Sequence, residues 1–213
     1  MKCRKVKSVR WLASVAILGA LAAVVMLLEF MIPFLGPTFL RFDFSEVPVM
    51  IGAFALGPVA GIVIEAIKVG LNLILDGSWS VGIGELANFL VGIAFVFPAS
   101  LIYHFRKTRK AALIGMLVGV VTMSASAALL NLYLLLPTYA AWMGMTPEAL
   151  ILSVSQAIPY ITDLKTGILL GIIPFNLFKS LVITGLVMLL YKRVSPLIKG
   201  REDAEDECSD PTK

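Results

Sequence analysis

The chain has 213 residues, a net charge of +4 and a mean hydropathy of +0.92. Hydrophobic residues make up 59% of it and charged residues only 15%, whereas a soluble domain carries about a quarter charged residues. This composition excludes a soluble globular domain. The basic residues flank apolar runs, which is typical of membrane-topology signals and not of a surface that binds nucleic acid.

Apolar runs alternate with polar connections along the chain, and from them we predict an all-α integral membrane protein with six transmembrane helices. A run of about 20 apolar residues is long enough for a helix to cross a hydrocarbon core about 30 Å thick. The predicted helices are 11–32, 46–56, 59–75, 81–104, 111–130, with an extension to 136 left open, and 174–192.

Local signals predict where several of these helices begin. Ser45 is expected to cap the second helix through its hydroxyl, and Gly57-Pro58 to separate that helix from the third. Residues 137–172 form a long mixed segment in which Thr146 has the pattern of a helix cap. The last helix is predicted to start at Pro174, because proline fits the first helical turn.

Basic residues set the predicted orientation. The N-terminal cluster, the cluster at 106–110 and the pair at 192–193 lie on one side of six crossings, which the positive-inside rule makes cytoplasmic. We therefore predict cytoplasmic N- and C-termini, and connections 33–45, 76–81 and 137–172 outside. The regions are a basic cytoplasmic N-terminus (1–10), a six-helix transmembrane domain (11–193) and a charged cytoplasmic tail (194–213).

Polar residues inside the predicted helices are costly in a bilayer and therefore informative. Counted at 1.5 Å per residue, six of them fall in the outer third of the membrane: Asn72, Glu85, Asn88, Asn131, Asn176 and Lys179. This clustering favours a pocket open to the outside. A structural explanation stays open, in which Glu85 pairs with Lys179 and the amides bridge helices. Glu65 and Lys68 lie deeper, and their spacing predicts an internal ion pair.

Two further features bear on binding. Phe39, Phe42 and Phe44 in the first outer connection could stack on an aromatic ligand, or anchor the loop at the interface as Trp79, Tyr139 and Trp142 are expected to do. Small residues in the first helix, among them Ala16 and Ala20, form a ridge that lets another helix approach closely.

Enzymatic signals are missing from the sequence. It has no G-x-x-x-x-G-K-[ST] phosphate loop, so we do not expect it to hydrolyse ATP itself. Its single histidine, His104, is predicted at the cytoplasmic end of the fourth helix, which argues against a metalloprotease or a serine–histidine hydrolase. We predict no catalytic residues, no metal site and no cofactor.

Four segments resemble a known family. Residues 42–48 (FDFSEVP) and 57–61 (GPVAG) are similar to the substrate-binding S components of energy-coupling factor (ECF) vitamin transporters. Residues 84–89 (GELANF) and 175–179 (FNLFK) resemble the riboflavin-specific branch. The resemblance covers nearly the whole chain, from the first helix to Lys192.

The resemblance implies a high-affinity riboflavin-binding protein with the ECF S-component fold in the bacterial cell membrane. Such a subunit captures the vitamin from outside, and its partners, a transmembrane coupling subunit (EcfT) and two ATPase subunits (EcfA and EcfA′), drive uptake. Two alternatives stay open. One is an S component for another vitamin, such as pantothenate or folate, and the other is a membrane structural or assembly protein without transport.

Residue roles follow from the same resemblance. Asn131, Asn176 and Lys179 would bond the polar edge of the isoalloxazine ring or the ribityl hydroxyls, and their side chains have the donors and acceptors for this. The further ligand contacts implied are Glu85, Asn88, Leu40 and Phe42, the last two in a lid formed by the first outer loop. Ala16 and Ala20 match the family's A-x-x-x-A motif for docking on the coupling subunit.

Overall fold

The computed structural model describes residues 2–77, 82–156 and 158–209, which form a helical bundle with one short hairpin. The helices are α1 (Lys2–Met26), α2 (Glu46–Leu56), α3 (Pro58–Leu75), α4 (Ile83–Phe105), α5 (Arg109–Leu130), α6 (Leu136–Met143), α7 (Pro147–Val154), α8 (Leu164–Gly167) and α9 (Ile173–Ser209). The strands are β1 (Phe30–Met31) and β2 (Arg41–Phe42). Two π-helical turns, Asn131–Leu135 and Ile168–Ile172, join α5 to α6 and α8 to α9.

Five helical segments among the described residues are long and apolar enough to cross a membrane. They are Val9–Met26, Pro58–Leu75, Ile83–Phe105, Arg109–Met143 and Leu164–Tyr191. The apolar helix α2 has 11 residues, so at about 1.5 Å per residue it is too short to cross a bilayer alone. Helix α4 ends one residue beyond the predicted His104, whereas its predicted start at Val81 and the predicted anchor Trp79 lie outside the described residues.

Helix α1 ends earlier than the sequence predicts, at Met26 instead of residue 32. Its last turn tightens, because the Leu28 and Glu29 amides donate to carbonyls three residues back. The chain then enters β1, which pairs antiparallel with β2. The first connection is therefore an ordered hairpin that folds back over one end of the bundle, called here the cavity end.

The predicted cap at Ser45 is wrong. Ser45 has helical backbone angles (φ −62°, ψ −25°), and its side chain makes no capping bond to α2. Its hydroxyl and its backbone N–H instead both donate to the carboxylate of Asp43. The predicted break between α2 and α3 is confirmed: Gly57 has a φ of 98°, which favours glycine, and Pro58 opens α3.

Helices extend further at the cavity end than predicted. Residues 131–143 continue α5 through a π turn and α6, and α9 is entered from α8 through the second π turn, so the predicted start at Pro174 is wrong. In each turn an amide donates five residues back, Leu136 to Asn131 and Ile173 to Ile168. Pro137 directly follows Leu136, and Pro174 directly follows Ile173. Proline has no backbone N–H to donate, and a π turn accommodates such a residue. The predicted cap at Thr146 is confirmed, since its hydroxyl oxygen accepts from the Ala149 amide.

Helices α4 and α5 pack closely because glycines face backbone. A Cβ at Gly115 would lie 2.6 Å from the Ala99 carbonyl oxygen, and one at Gly119 2.7 Å from that of Phe95. The Thr122 hydroxyl donates across the same interface to the Ala94 carbonyl at 2.6 Å. This close contact fixes the position of α4 relative to α5, and so of the side chains that both helices direct into the site.

Candidate ligand-binding site

A polar cavity lies at the cavity end, between the hairpin and helices α3, α4, α5 and α9. It has an open mouth, and both polar and apolar side chains line it, which is typical of small-molecule sites. The predicted polar residues in its lining are Asn72, Glu85, Asn88, Asn131, Asn176 and Lys179, and Leu40 of the hairpin also lines it. The structure therefore brings together side chains that the sequence spreads over more than half its length.

Two buried asparagines each use one amide N–H to hold their own helix. Asn131 donates to the Ala127 carbonyl at 2.8 Å, and Asn176 to the Ile172 carbonyl at 2.9 Å. Asn131 begins the first π turn, and Asn176 lies four residues after the end of the second; such turns are frequent at functional sites. Because a carboxamide has two N–H donors and one oxygen acceptor, each retains a donor and an acceptor for a ligand in the cavity.

Lys179 of α9 forms an ion pair with Asp43 of the hairpin connection, so the pair joins these two segments. The Lys179 ammonium donates to Asp43 Oδ2 at 2.6 Å, and Lys179 and Asp43 are only 6% and 1% exposed. Asp43, which the sequence analysis did not pair with a lysine, is an ion-pair partner of Lys179. An ammonium has three donors, so Lys179 keeps capacity for a ligand.

The Asp43–Lys179 pair affects the pKa of Asp43 in the hairpin connection. Burial alone would raise the pKa of the Asp43 carboxyl, but Lys179, Lys68 and the donors of Ser45 together lower it to about 2. At the cavity mouth, burial raises the pKa of Glu29, although Arg41, 3.7 Å away, acts in the opposite direction. Asp43 is therefore a fixed anion at neutral pH, and it holds the Lys179 ammonium in place.

A second charged group lies deeper. The Lys68 ammonium is 2.6 Å from Glu65 Oε1 and 2.7 Å from Glu46 Oε1, and all three residues are almost fully buried. The predicted Glu65–Lys68 ion pair is confirmed, with Glu46 as an additional partner. Gly92 makes room for them, since a Cβ there would lie 2.3 Å from Glu65 Oε1.

Phe42, a predicted ligand contact, lies behind the cavity lining. It is 2% exposed and packs against Phe30, Phe44, Phe175 and Phe178. This aromatic cluster fastens the hairpin to α9. Phe39 does line the cavity, with its ring centroid 6.3 Å from that of Tyr139.

The small residues of α1 divide between two faces. Gly19 is buried against α3, where a Cβ would lie 2.6 Å from a methyl of Ile67. Ala16 and Ala20 are exposed on the outside of the bundle. A partner helix could therefore approach the chain along these two alanines.

Sequence reasoning missed Asp43 as the partner of Lys179 and Glu46 as the second partner of Lys68. From the sequence, Asp43 lies in the predicted outer connection 33–45, and Glu46 begins the second predicted helix. Their signal was present, because both are acidic residues next to an apolar run and two lysines lie inside such runs. Pairing them requires tertiary contacts across 136 residues for Asp43 and 22 for Glu46.

A family model described as "ECF transporter, substrate-specific component" matches residues 10–191. The chain belongs to this family. It is 36% identical over 197 residues to the riboflavin transporter FmnP of Bacillus subtilis (strain 168), which covers 92% of this chain and 97% of that relative. It is 35% identical over 188 residues to the riboflavin transporter RibU of Staphylococcus aureus (strain TCH60), which covers 88% and 92%.

The fold agrees with this membership. A solved structure described as "Structure and mechanism of the S component of a bacterial ECF transporter" aligns with a TM-score of 0.69 and 31% identity, over 90% of this chain and 99% of that chain. The protein is thus a multi-pass integral membrane S component of the bacterial cell membrane, a substrate-binding part of a transporter and not an enzyme.

Proposed function

We propose that this S component binds riboflavin from outside the cell and delivers it for ATP-driven uptake. The observation that carries the proposal is the convergence of Asn131, Asn176 and Lys179 on one cavity. Two relatives above 30% identity that match almost their whole length are named riboflavin transporters. The cavity and the relatives' names together support riboflavin as the ligand.

Riboflavin presents groups that match these side chains. The polar edge of its ring carries carbonyl oxygens and an imide N–H. Carboxamides both donate and accept, and a lysine donates to carbonyls. Asn88 and Glu85 on α4, with Leu40 of the hairpin, complete the proposed contacts, whereas Phe42 supports the hairpin from behind. The apolar lining supplies surface for the ring faces.

The proposed topology has six crossings. In it α2 completes a crossing despite its length, the cavity opens outside, and both termini are cytoplasmic beside the basic clusters. Residues 11–193 then form the six-helix substrate-binding domain, between the basic segment 1–10 and the charged tail 194–213. This orientation directs the cavity toward the vitamin supply.

We assign energy coupling to partner subunits. Exposed Ala16 and Ala20 on α1 are the proposed docking surface for a transmembrane coupling subunit, itself joined to two ATPases. Ala16→Leu with Ala20→Leu should reduce co-purification with that subunit about tenfold or more and leave riboflavin affinity unchanged. Ala125→Leu, at an exposed alanine of α5, is the matched control. Equal co-purification of all three proteins would contradict this docking surface.

Riboflavin specificity is tested by competition. We expect the fluorescence of riboflavin to be quenched when it binds the purified protein. Pantothenate and folate should not compete with it at a hundredfold excess. Asn176→Ala should weaken the affinity about 10-fold or more, because a buried ligand contact would lose its partner. Displacement by a carboxylated vitamin at a concentration similar to that of riboflavin would instead identify an S component for that vitamin, with Lys179 facing its carboxylate.

A further inference from the structure

Glu46 is a lining residue of the cavity, and one oxygen of its buried carboxylate is unpartnered in the described part of the chain. It is 1% exposed, and its Oε1 accepts from Lys68 at 2.7 Å. Its Oε2 has no hydrogen-bond partner among the described residues. Burying a charged oxygen in this way is unfavourable unless a donor reaches it.

The neighbours of Glu46 hold it at this position. Lys68 binds Oε1, and Gly92 leaves the space that the carboxylate occupies, because a Cβ there would lie 3.1 Å from Glu46 Oε1. Glu65 contacts the same ammonium at 2.6 Å but does not belong to the cavity lining. Of the two carboxylates on Lys68, Glu46 is the one that belongs to the described cavity lining.

The charges around the cavity indicate which ligand group Glu46 accepts. Three buried carboxylates, Asp43, Glu46 and Glu65, face two buried lysines, Lys68 and Lys179. The group thus has acceptors in excess, so a neutral donor suits it better than another anion. A hydroxyl donates to a carboxylate strongly, and a carboxylate has only acceptors to offer in return.

We propose that Glu46 is a ligand-binding residue whose Oε2 accepts a hydrogen bond from a ribityl hydroxyl of riboflavin. The inference rests on the proposed function and adds a contact that recognises the sugar-alcohol chain. Asn131, Asn176 and Lys179 suit the carbonyl-rich edge of the ring, because they carry donors. The chain of hydroxyls is the part of the ligand that supplies donors to an acceptor-only carboxylate.

The test compares Glu46→Gln with Glu65→Gln in the full-length protein. Both variants remove one negative charge from the same lysine, but only the first alters the cavity lining. Riboflavin and lumiflavin, which has a methyl group in place of the ribityl chain, are titrated by fluorescence against each variant. The thermal unfolding temperature of each variant reports on the fold.

Glu46→Gln should weaken riboflavin binding about 10- to 100-fold, the effect of losing one charge-assisted hydrogen bond, and leave lumiflavin binding unchanged. Glu65→Gln should keep riboflavin affinity within about threefold. Unchanged riboflavin affinity in Glu46→Gln, an equal loss in Glu65→Gln, or an equal loss of lumiflavin would each overturn the inference. Wild-type protein that binds no flavin would overturn the proposed function as well, so the two failures are distinguishable.

Discussion

Lys68→Met is expected to destabilise the protein by about 3–5 kcal/mol, because it leaves buried carboxylates without their counter-ion. Lys68 is fully buried, and its ammonium lies within 2.7 Å of both Glu46 and Glu65. Methionine has a similar volume, so the loss reports on charge and not on a cavity. Thermal unfolding of the detergent-solubilised protein, followed by circular dichroism, measures the effect.

A triple variant separates charge from packing in this experiment. Adding Glu46→Gln and Glu65→Gln to Lys68→Met removes all three charges, and stability should recover most of the loss, since neutral groups of similar shape tolerate burial. Lys68→Met protein that unfolds at the wild-type temperature would contradict the role assigned to the group. A triple variant no more stable than the single one would show that packing, not charge, sets the effect.

Asp43→Asn is expected to weaken riboflavin binding by about 100-fold and to lower stability by about 3 kcal/mol. The substitution keeps the shape of the side chain but leaves the buried Lys179 ammonium, 2.6 Å away, without a counter-ion. Lys179 then loses the contact that orients it toward the cavity, and the hairpin connection loses its tie to α9. Riboflavin titration and thermal unfolding measure the two effects.

A control variant and the pH dependence of stability test the role of Asp43 further. Asp163→Asn removes an exposed carboxylate of another connection, a helix cap unconnected to Lys179, and should leave riboflavin affinity unchanged. Because the pKa of Asp43 falls from 3.8 to about 2 on folding, its stabilising contribution is complete above about pH 4 and is lost as the pH falls toward 2. Wild-type affinity in Asp43→Asn would contradict the positioning of Lys179 by Asp43.

The polar side chains of the cavity could be predicted from the sequence, because the depth of a residue in a membrane helix follows from its distance along the chain from the helix end. Counting 1.5 Å per residue from each helix end predicts Asn88, Asn131 and Asn176 in the outer third of the membrane, and the structure has all three in one lining. The Glu65–Lys68 pair followed equally well from local spacing on one helix face. Both predictions use only geometry internal to a helix.

Contacts between distant segments could not be predicted in this way. The Asp43–Lys179 pair joins a hairpin connection to α9, and Glu46 meets Lys68 across the break at Gly57-Pro58. Single-sequence patterns do not say which acidic residue meets which lysine. Ser45 is an example. Its hydroxyl has two alternatives, to cap α2 or to donate to Asp43, and the tertiary position of Asp43 selects the second.

The predictions of the helix ends beside the cavity were wrong for a different reason. Proline is favoured in the first turn of a helix, and this preference predicts a helix start at Pro174. Here the chain widens by one residue into a π turn just before Pro137 and again before Pro174, so helices continue through both positions. No propensity rule separates these two outcomes from sequence alone, although both prolines mark the two turns beside Asn131 and Asn176.

Riboflavin titration of the purified wild-type protein, with fluorescence and absorbance read together, tests the central claim most directly. We expect saturable quenching at submicromolar riboflavin with one site per chain, or flavin absorbance already present in the preparation. Lys179→Ala should weaken the binding. A colourless protein that neither quenches riboflavin fluorescence nor gains thermal stability from it would contradict the assignment of riboflavin as the ligand.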